Sequence, residues 1–370
     1  MNRNFRWLRE EIARWEADGL VTPEIGAALR RRYPAPADAT SWGTIVFASA
    51  GAVVVGLGVI LLFAYNWDEI PKFAKLAVVF GSLAAAHGVG LWWAQRDDWR
   101  RNIGAAAGLL GTMLFGAGIW LVAQIYHIDE HYPNGFLIWA LGALVMAWAL
   151  DSIVQAMLAA VLLAIWGGCE MLDFDDGNIW ALVLVVAGLG PLAWRRQSAV
   201  LLAVVLAATQ FLLLSSAVSF GSGAHLATTS LAWGAGLVAL SRLMAGGGAG
   251  FAGSAGVASF FGFATVVICA YALSFRPGLD YARRLERAVD DGHLGPLIAS
   301  WVIFALAAVA WGIVGVREAT RRGAPLPWLE WLVPAMLAYC YALVWGRFAF
   351  LAGLGPHPFT LTLAGIAAAW

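Results

Sequence analysis

Residues 64–75 read AYNWDEIPKFAK. A Gly-rich apolar run, 42–65, enters this stretch and a second apolar run, 73–95, leaves it. Between them stand Asn66, Asp68, Glu69 and Pro71, the marks of a polar turn. A charged helix start then leaves the stretch. Each flanking run has roughly the 20 residues that cross a ~30 Å hydrocarbon core. The stretch therefore reads as the turn of a membrane hairpin.

Working outward, the pattern repeats. Further apolar runs fall at about 103–126, 134–150, 152–171, 178–194, 198–218, 225–244, 252–275, 295–316 and 328–350. Residues 134–172 as one helix would be far too long for a single crossing at about 1.5 Å per residue, so the spacing predicts a tight turn at Asp151. The chain reaches Trp370 inside a twelfth apolar run of about a dozen residues, from Phe359, which reads as a truncated crossing or an interfacial end. The composition agrees: 61% of the 370 residues are hydrophobic and 12% charged, against about 25% charged in soluble domains, and mean hydropathy is +0.75. An outer-membrane barrel is excluded, because its strands alternate and run only about ten residues. The expected fold is all-α: a polytopic membrane protein of about eleven transmembrane helices with a partial twelfth.

Ahead of the first run lies a charged segment that reads as a short helical hairpin. Phe5, Leu8, Ile12 and Trp15 share one helical face. Asp18-Gly19-Leu20 stops the first helix, and Thr22-Pro23-Glu24 starts the second as cap, first position and dipole partner. Ile25, Ala28, Leu29 and Tyr33 give it a second apolar face. Seven Arg against five acids over residues 3–33 is too little positive charge for a phosphate-binding face, so nucleic acid is not an expected partner. The organisation expected is 1–41 as hairpin and linker, 42–150 as a first membrane unit, and 151–370 as a second membrane region. No cleavable signal is visible ahead of residue 42, so that run should serve as an uncleaved insertion signal.

Lys and Arg favour cytoplasmic loops. Counted on alternating sides, about 16 fall with the N-terminus and about seven opposite, four of those in the loop 276–294. The N-terminus is therefore expected in the cytoplasm.

The polar residues concentrate on the outer side. Gly56-x-Gly58, Tyr65, Asp68-Glu69 and Pro71 are echoed by Gly116-x-Gly118, Tyr126, Asp129-Glu130 and Pro133, with one residue inserted. This reads as a parallel repeat of two helix pairs. The candidate cluster is Asn66, Asp68, Glu69, Gln124, Tyr126, His127, Asp129, Glu130 and His131, and the fifth run adds Glu170, Asp173, Asp175 and Asp176. An acidic outer mouth suits a cation or a small polar solute; solvated loop residues would give the same pattern. His127-x-Asp129-x-His131 has metal-compatible donors without the surrounding ligands that make such a signal specific.

Within the membrane, His87 and Gln210 lie near the middle of their helices, where polar groups are costly and mark function or an interhelical hydrogen bond. Gly104-x-x-x-Gly108, like the glycines of the repeat, is a helix-packing signal. Gly248-x-Gly250-x-x-Gly253 matches a dinucleotide fingerprint by letter only; with no strand before it, it reads as a turn. Cys169, Cys269 and Cys340 lie in or beside apolar runs without disulfide or zinc spacing. Twenty Trp, many near helix ends, fit interfacial anchoring. No cofactor, resident metal or nucleophile–base pair is expected, and with no reactive constellation visible a membrane enzyme is the third reading, behind the two function classes below.

WEADGLVTPEIGAALRRRY (15–33), AYNWDEIPKFAK (64–75) and FGAGIWLVAQIYHI (115–128), in that order, resemble the bacterial predicted-membrane-protein family with the domain of unknown function 2157, over about residues 3–150. The resemblance implies a bacterial inner-membrane location and no activity. Two function classes follow from the residues: a transporter or channel-like protein for a cation or small polar solute, and a non-catalytic scaffold or sensor. The scaffold's hairpin would bind a cytosolic partner, and self-association into a homo-oligomer is the other expected contact beyond the lipid bilayer.

Overall fold

The computed structural model describes residues 11–32, 70–94, 99–128, 131–174, 179–219, 226–247, 250–276, 280, 294–320, 328–345 and 354–369. Every element among the described residues is helical. The chain forms two compact units, Met1–Lys75 and Leu76–Trp370.

In the first unit, α1 (residues 11–17) is followed by α2 (Pro23–Arg32). Gly19 takes the left-handed conformation (φ +71) that ends α1, and the Trp15 carbonyl accepts the Leu20 and Val21 amides. Thr22 Oγ1 accepts the Ile25 amide at 3.4 Å, the expected cap. Ile12 is buried; Ile25 and Ala28, on the second apolar face, are exposed.

The later helices are α3 (Lys72–Ala94), α4 (Trp99–Tyr126), α5 (Pro133–Ala149), α6 (Ile153–Phe174), α7 (Ile179–Arg195), α8 (Ala199–Ser219), α9 (Leu226–Gly247), α10 (Ser254–Leu273), α11 (Leu294–Thr320), α12 (Leu332–Trp345, entered through a 3-10 turn, Trp328–Trp331) and α13 (His357–Ala369). Among the described residues, five stretches are long and apolar enough to cross a membrane: Lys72–Trp93, Ile103–Tyr126, Ile153–Phe174, Ser254–Leu273 and Ile298–Thr320. Pro133–Ala149, Ile179–Arg195 and Leu332–Trp345 are apolar but shorter, at 17, 17 and 14 residues. Large apolar side chains stand exposed on the helix faces, Phe260 and Ile268 of α10 and Leu306 and Val309 of α11 among them. Such surface is stable against lipid and a liability in water.

The turn expected at Asp151 is present: Asp151 has φ +50, and the amides of Leu150 and Ser152 fold back onto the carbonyls of Met146 and Ala147. Two cores form. One joins α5–α8 through Ala140, Ala147, Ala159, Leu163, Leu189 and Leu212; the other joins α9–α13 through Leu231, Val238, Val266, Trp311, Met336 and Phe359. Small residues let the backbones meet, since apolar area alone drives no association in lipid. A Cβ on Gly90 of α3 would stand 2.9 Å from the Gly108 nitrogen and 3.2 Å from the Gly104 carbonyl oxygen of α4. The same holds for Gly262 of α10, 2.8 Å from the Val238 nitrogen of α9. Residues 184–189 of α7 are π-helical, and the Gly188 carbonyl accepts Trp148 Nε1 at 2.8 Å.

Candidate functional site

A polar cluster forms where α5 begins and α6 ends. Pro133 at the first position of α5 sets the start of that helix, and the His131 and Tyr132 carbonyls accept the Asn134 and Gly135 amides. This turn points His131 and Tyr132 toward α6. His131 Nε2 meets Glu170 Oε2 at 2.8 Å, and Trp166 Nε1 donates to Glu170 Oε1 at 2.9 Å. Trp166 and Glu170 lie four residues apart and so share one face of α6. Glu170 is buried, with 10% of its side chain exposed, so both oxygens need these partners. Tyr132 Oη donates to Asp173, and the Phe174 ring packs on His131 with centroids 4.0 Å apart. The Asp173 carboxylate accepting this proton, with a smaller contribution from Cys169, holds the Tyr132 phenol well above the usual tyrosine range.

A cavity of about 530 Å³ opens beside the cluster between α3, α4 and α5. Phe80, Phe115, Trp120 and Tyr132 wall it, with His131 and Asn134 among its polar atoms. Glycines of α5 seat the rings of α4: Trp120 lies against Gly135 and Phe115 against Gly142, while Trp139 of α5 lies against Gly116 of α4.

The opposite helix ends carry a different chemistry. Asp151 sits 3.0 Å from Arg196 and 3.8 Å from Arg195. Arg242 meets Glu330 at 2.8 Å, and Arg317 donates to the Leu243 carbonyl at 3.3 Å. Trp194 and Phe251, 5.3 Å between centroids, bring the α7–α8 and α9–α10 turns together at this end. Glu170 lies 19 residues along α6 from Asp151, about 28 Å at 1.5 Å per residue.

The residues singled out from the sequence divide. Asn66, Asp68, Glu69, Asp129, Glu130, Gly56 and Gly58 lie outside the described residues, and with them the first copy of the quasi-repeat. Gln124, Tyr126 and His127 are exposed at the end of α4, His127 at φ +53. His131 joins the cluster. His87 is half-buried, its ring against Gly111 of α4. Gln210 Oε1 accepts Thr265 Oγ1 at 3.1 Å, between α8 and α10. Gly118 faces Val79 of α3. No group of three metal-ligating side chains occurs among the described residues. Tyr132 and Trp166 were not singled out, although Trp-x-x-x-Glu at the polar end of an apolar helix is a usable signal.

Comparison with curated proteins and with solved structures gives no match. The matched family segment holds His131 and Tyr132, with Trp166, Glu170 and Asp173 beyond its end. The chain is a membrane protein with several apolar helices, whose residues 13–156 match the family described as "Predicted membrane protein (DUF2157)".

Proposed function

We propose that this is a bacterial inner-membrane protein of eleven crossings and a partial twelfth, N-terminus in the cytoplasm, that binds and passes a cation or small polar solute. The entry point is the His131–Glu170 end. One observation carries this reading: the two ends treat their carboxylates differently. Asp151 and Glu330 are each neutralised by arginine, whereas Glu170 and Asp173 are held by His131, Trp166 and Tyr132. Carboxylates positioned by rings and a hydroxyl, beside a cavity and with no Lys or Arg partner among the described residues, attract positive charge. The arginine end is cytoplasmic on this reading, as the positive-inside rule requires.

The test is electrical. Proteoliposomes on a solid-supported membrane electrode receive concentration jumps of inorganic and organic cations. A current in the wild type that Glu170→Gln removes, with folding retained, supports the reading. Protein-independent traces across the panel end it.

The close glycine crossings at Gly90–Gly108 and Gly262–Val238 favour a second reading, a rigid scaffold whose exposed Leu20 and Ile25 meet a cytosolic partner. Deleting residues 1–41 abolishes function on this second reading and spares any current on the first.

A further inference from the structure

The cavity beside the cluster has a composition that narrows its ligand. Among the described residues its wall holds no Lys, Arg, Asp or Glu. Four carbon-rich rings, Phe80, Phe115, Trp120 and Tyr132, face a space of about 530 Å³, within the ~300–1,000 Å³ of sites for drug-sized molecules. A hydrated inorganic ion would find too few oxygens there to replace its water shell. An organic anion would meet the electron-rich faces of the rings and, behind them, carboxylates. A neutral lipid would fit the apolar wall but make no use of either.

We propose that the cavity binds a lipophilic cation, a quaternary or charge-delocalised onium ion whose apolar bulk fills the α3–α4–α5 cleft. This names the substrate class of the site proposed above and rests on that reading. Each part of the geometry has a role. The ring faces supply cation–π attraction, strongest for Trp120. Glu170 and Asp173 lie one hydrogen bond behind the wall, through His131 (2.8 Å) and through Tyr132. Tyr132 donates its proton to Asp173, which fixes the phenol in the cavity wall. The wall is built before any ligand arrives. Trp120 is seated on Gly135, where a Cβ would come within 3.1 Å of the ring, and packs edge-on to Phe136 at 5.1 Å. Phe115 is seated on Gly142, where a Cβ would come within 2.6 Å. Fixed rings lose little freedom on binding, so most of the attraction is retained as affinity.

Tetraphenylphosphonium and tetraphenylborate form the decisive pair, because they match in size and shape and differ in sign. Radiolabelled tetraphenylphosphonium is titrated onto the full-length protein in nanodiscs, with empty nanodiscs subtracted. The expected result is saturable binding near one per chain that tetraphenylborate does not displace. Trp120→Ala should weaken it about tenfold or more, the loss of a desolvated cation–π contact, and Glu170→Gln with Asp173→Asn should weaken it similarly. Because Trp120→Ala could unfold the chain, Ile138→Trp serves as a second variant: it fills the cavity from α5 and should abolish binding while leaving the polar cluster in place. No saturable binding, equal displacement by the anion, or binding that survives Ile138→Trp overturns the proposal. Binding without any cation current would keep this inference and end the transport reading. Inorganic-cation current without onium binding would do the reverse.

Discussion

Replacing Gly262 by alanine should force α9 and α10 apart. The new Cβ would lie 2.8 Å from the Val238 nitrogen, 2.9 Å from Val238 Cγ2 and 3.0 Å from the Gly234 carbonyl oxygen. Ordinary contact begins near 3.4 Å, and two of these three atoms are backbone, so no rotamer change relieves the overlap. The helices must part by about half an ångström, which also loosens Gly234 from Thr265 and Val266. Overpacking of this kind costs about 1–3 kcal/mol. Alanine also raises helix propensity, by about 1 kcal/mol over glycine, which partly hides the loss. Gly256, on the same helix with nothing within 4 Å of its built Cβ, removes that ambiguity. Gly256→Ala gains the propensity alone and should be neutral or stabilising by up to about 1 kcal/mol. The difference between the variants isolates the packing term at about 1–3 kcal/mol. Equilibrium unfolding in mixed detergent and SDS micelles measures both on one scale. Equal shifts for Gly262→Ala and Gly256→Ala would refute the close crossing.

Gly90→Ala should behave like Gly262→Ala, because its Cβ meets the Gly108 backbone at 2.9 Å; the same unfolding assay checks it, with Gly88→Ala, which meets nothing within 4 Å, as control. Glu170→Ala leaves His131 and the Trp166 indole without their acceptor and should cost about 1–3 kcal/mol, while Glu170→Gln, which keeps an oxygen for Trp166, should cost less. Arg242→Met strands a Glu330 side chain only 12% exposed. Since Arg242 is itself about a third exposed, the cost should be roughly 1–3 kcal/mol rather than the 3–5 of a fully buried pair, and Glu330→Leu added to it should recover most of the loss. In alkaline titration followed by tyrosinate absorbance, Tyr132 should ionise above the ordinary tyrosine range. Its raised pKa means the neutral, hydrogen-bonded form is favoured in the fold, so the tie to Asp173 is intact below the ordinary tyrosine range and is lost only above it. Asp173→Asn should move one tyrosine back toward that range.

Local signals read well from the sequence because local rules govern them. The Gly19 stop, the Thr22 cap and the Asp151 turn all appear where residue chemistry requires them. Gly104 and Gly108 were legible as a packing face, and Gly90 is the backbone they meet. Partner choice was not legible. His131 stood beside Asp129 and Glu130 in sequence, yet its described partner is Glu170, 39 residues away, because the turn at Asp151 folds α6 back along α5. Trp166 and Glu170 share a helical face in the sequence, but that Glu170 is buried and needs the indole is decided by packing. Span length was likewise beyond a hydropathy reading. Several apolar runs fold as helices of 17 residues or fewer, so composition marks them apolar without fixing a full crossing. The π-helical turn at 184–189 lies just ahead of Pro191, which brings no amide to the helix ladder, and its Gly188 carbonyl accepts Trp148 Nε1.

The most direct measurement is the sidedness of the two helix ends. Single cysteines at Asn134, on the cavity beside His131, and at Gln197, between the Arg195–Arg196 pair and α8, are placed in a chain lacking Cys169, Cys269 and Cys340. Intact cells are treated with a membrane-impermeant maleimide, before and after permeabilisation. Asn134→Cys should label from outside and Gln197→Cys only after permeabilisation. The reverse pattern would place the arginine end outside and contradict the proposed entry site; labelling of both positions from outside would contradict the alternating crossings themselves.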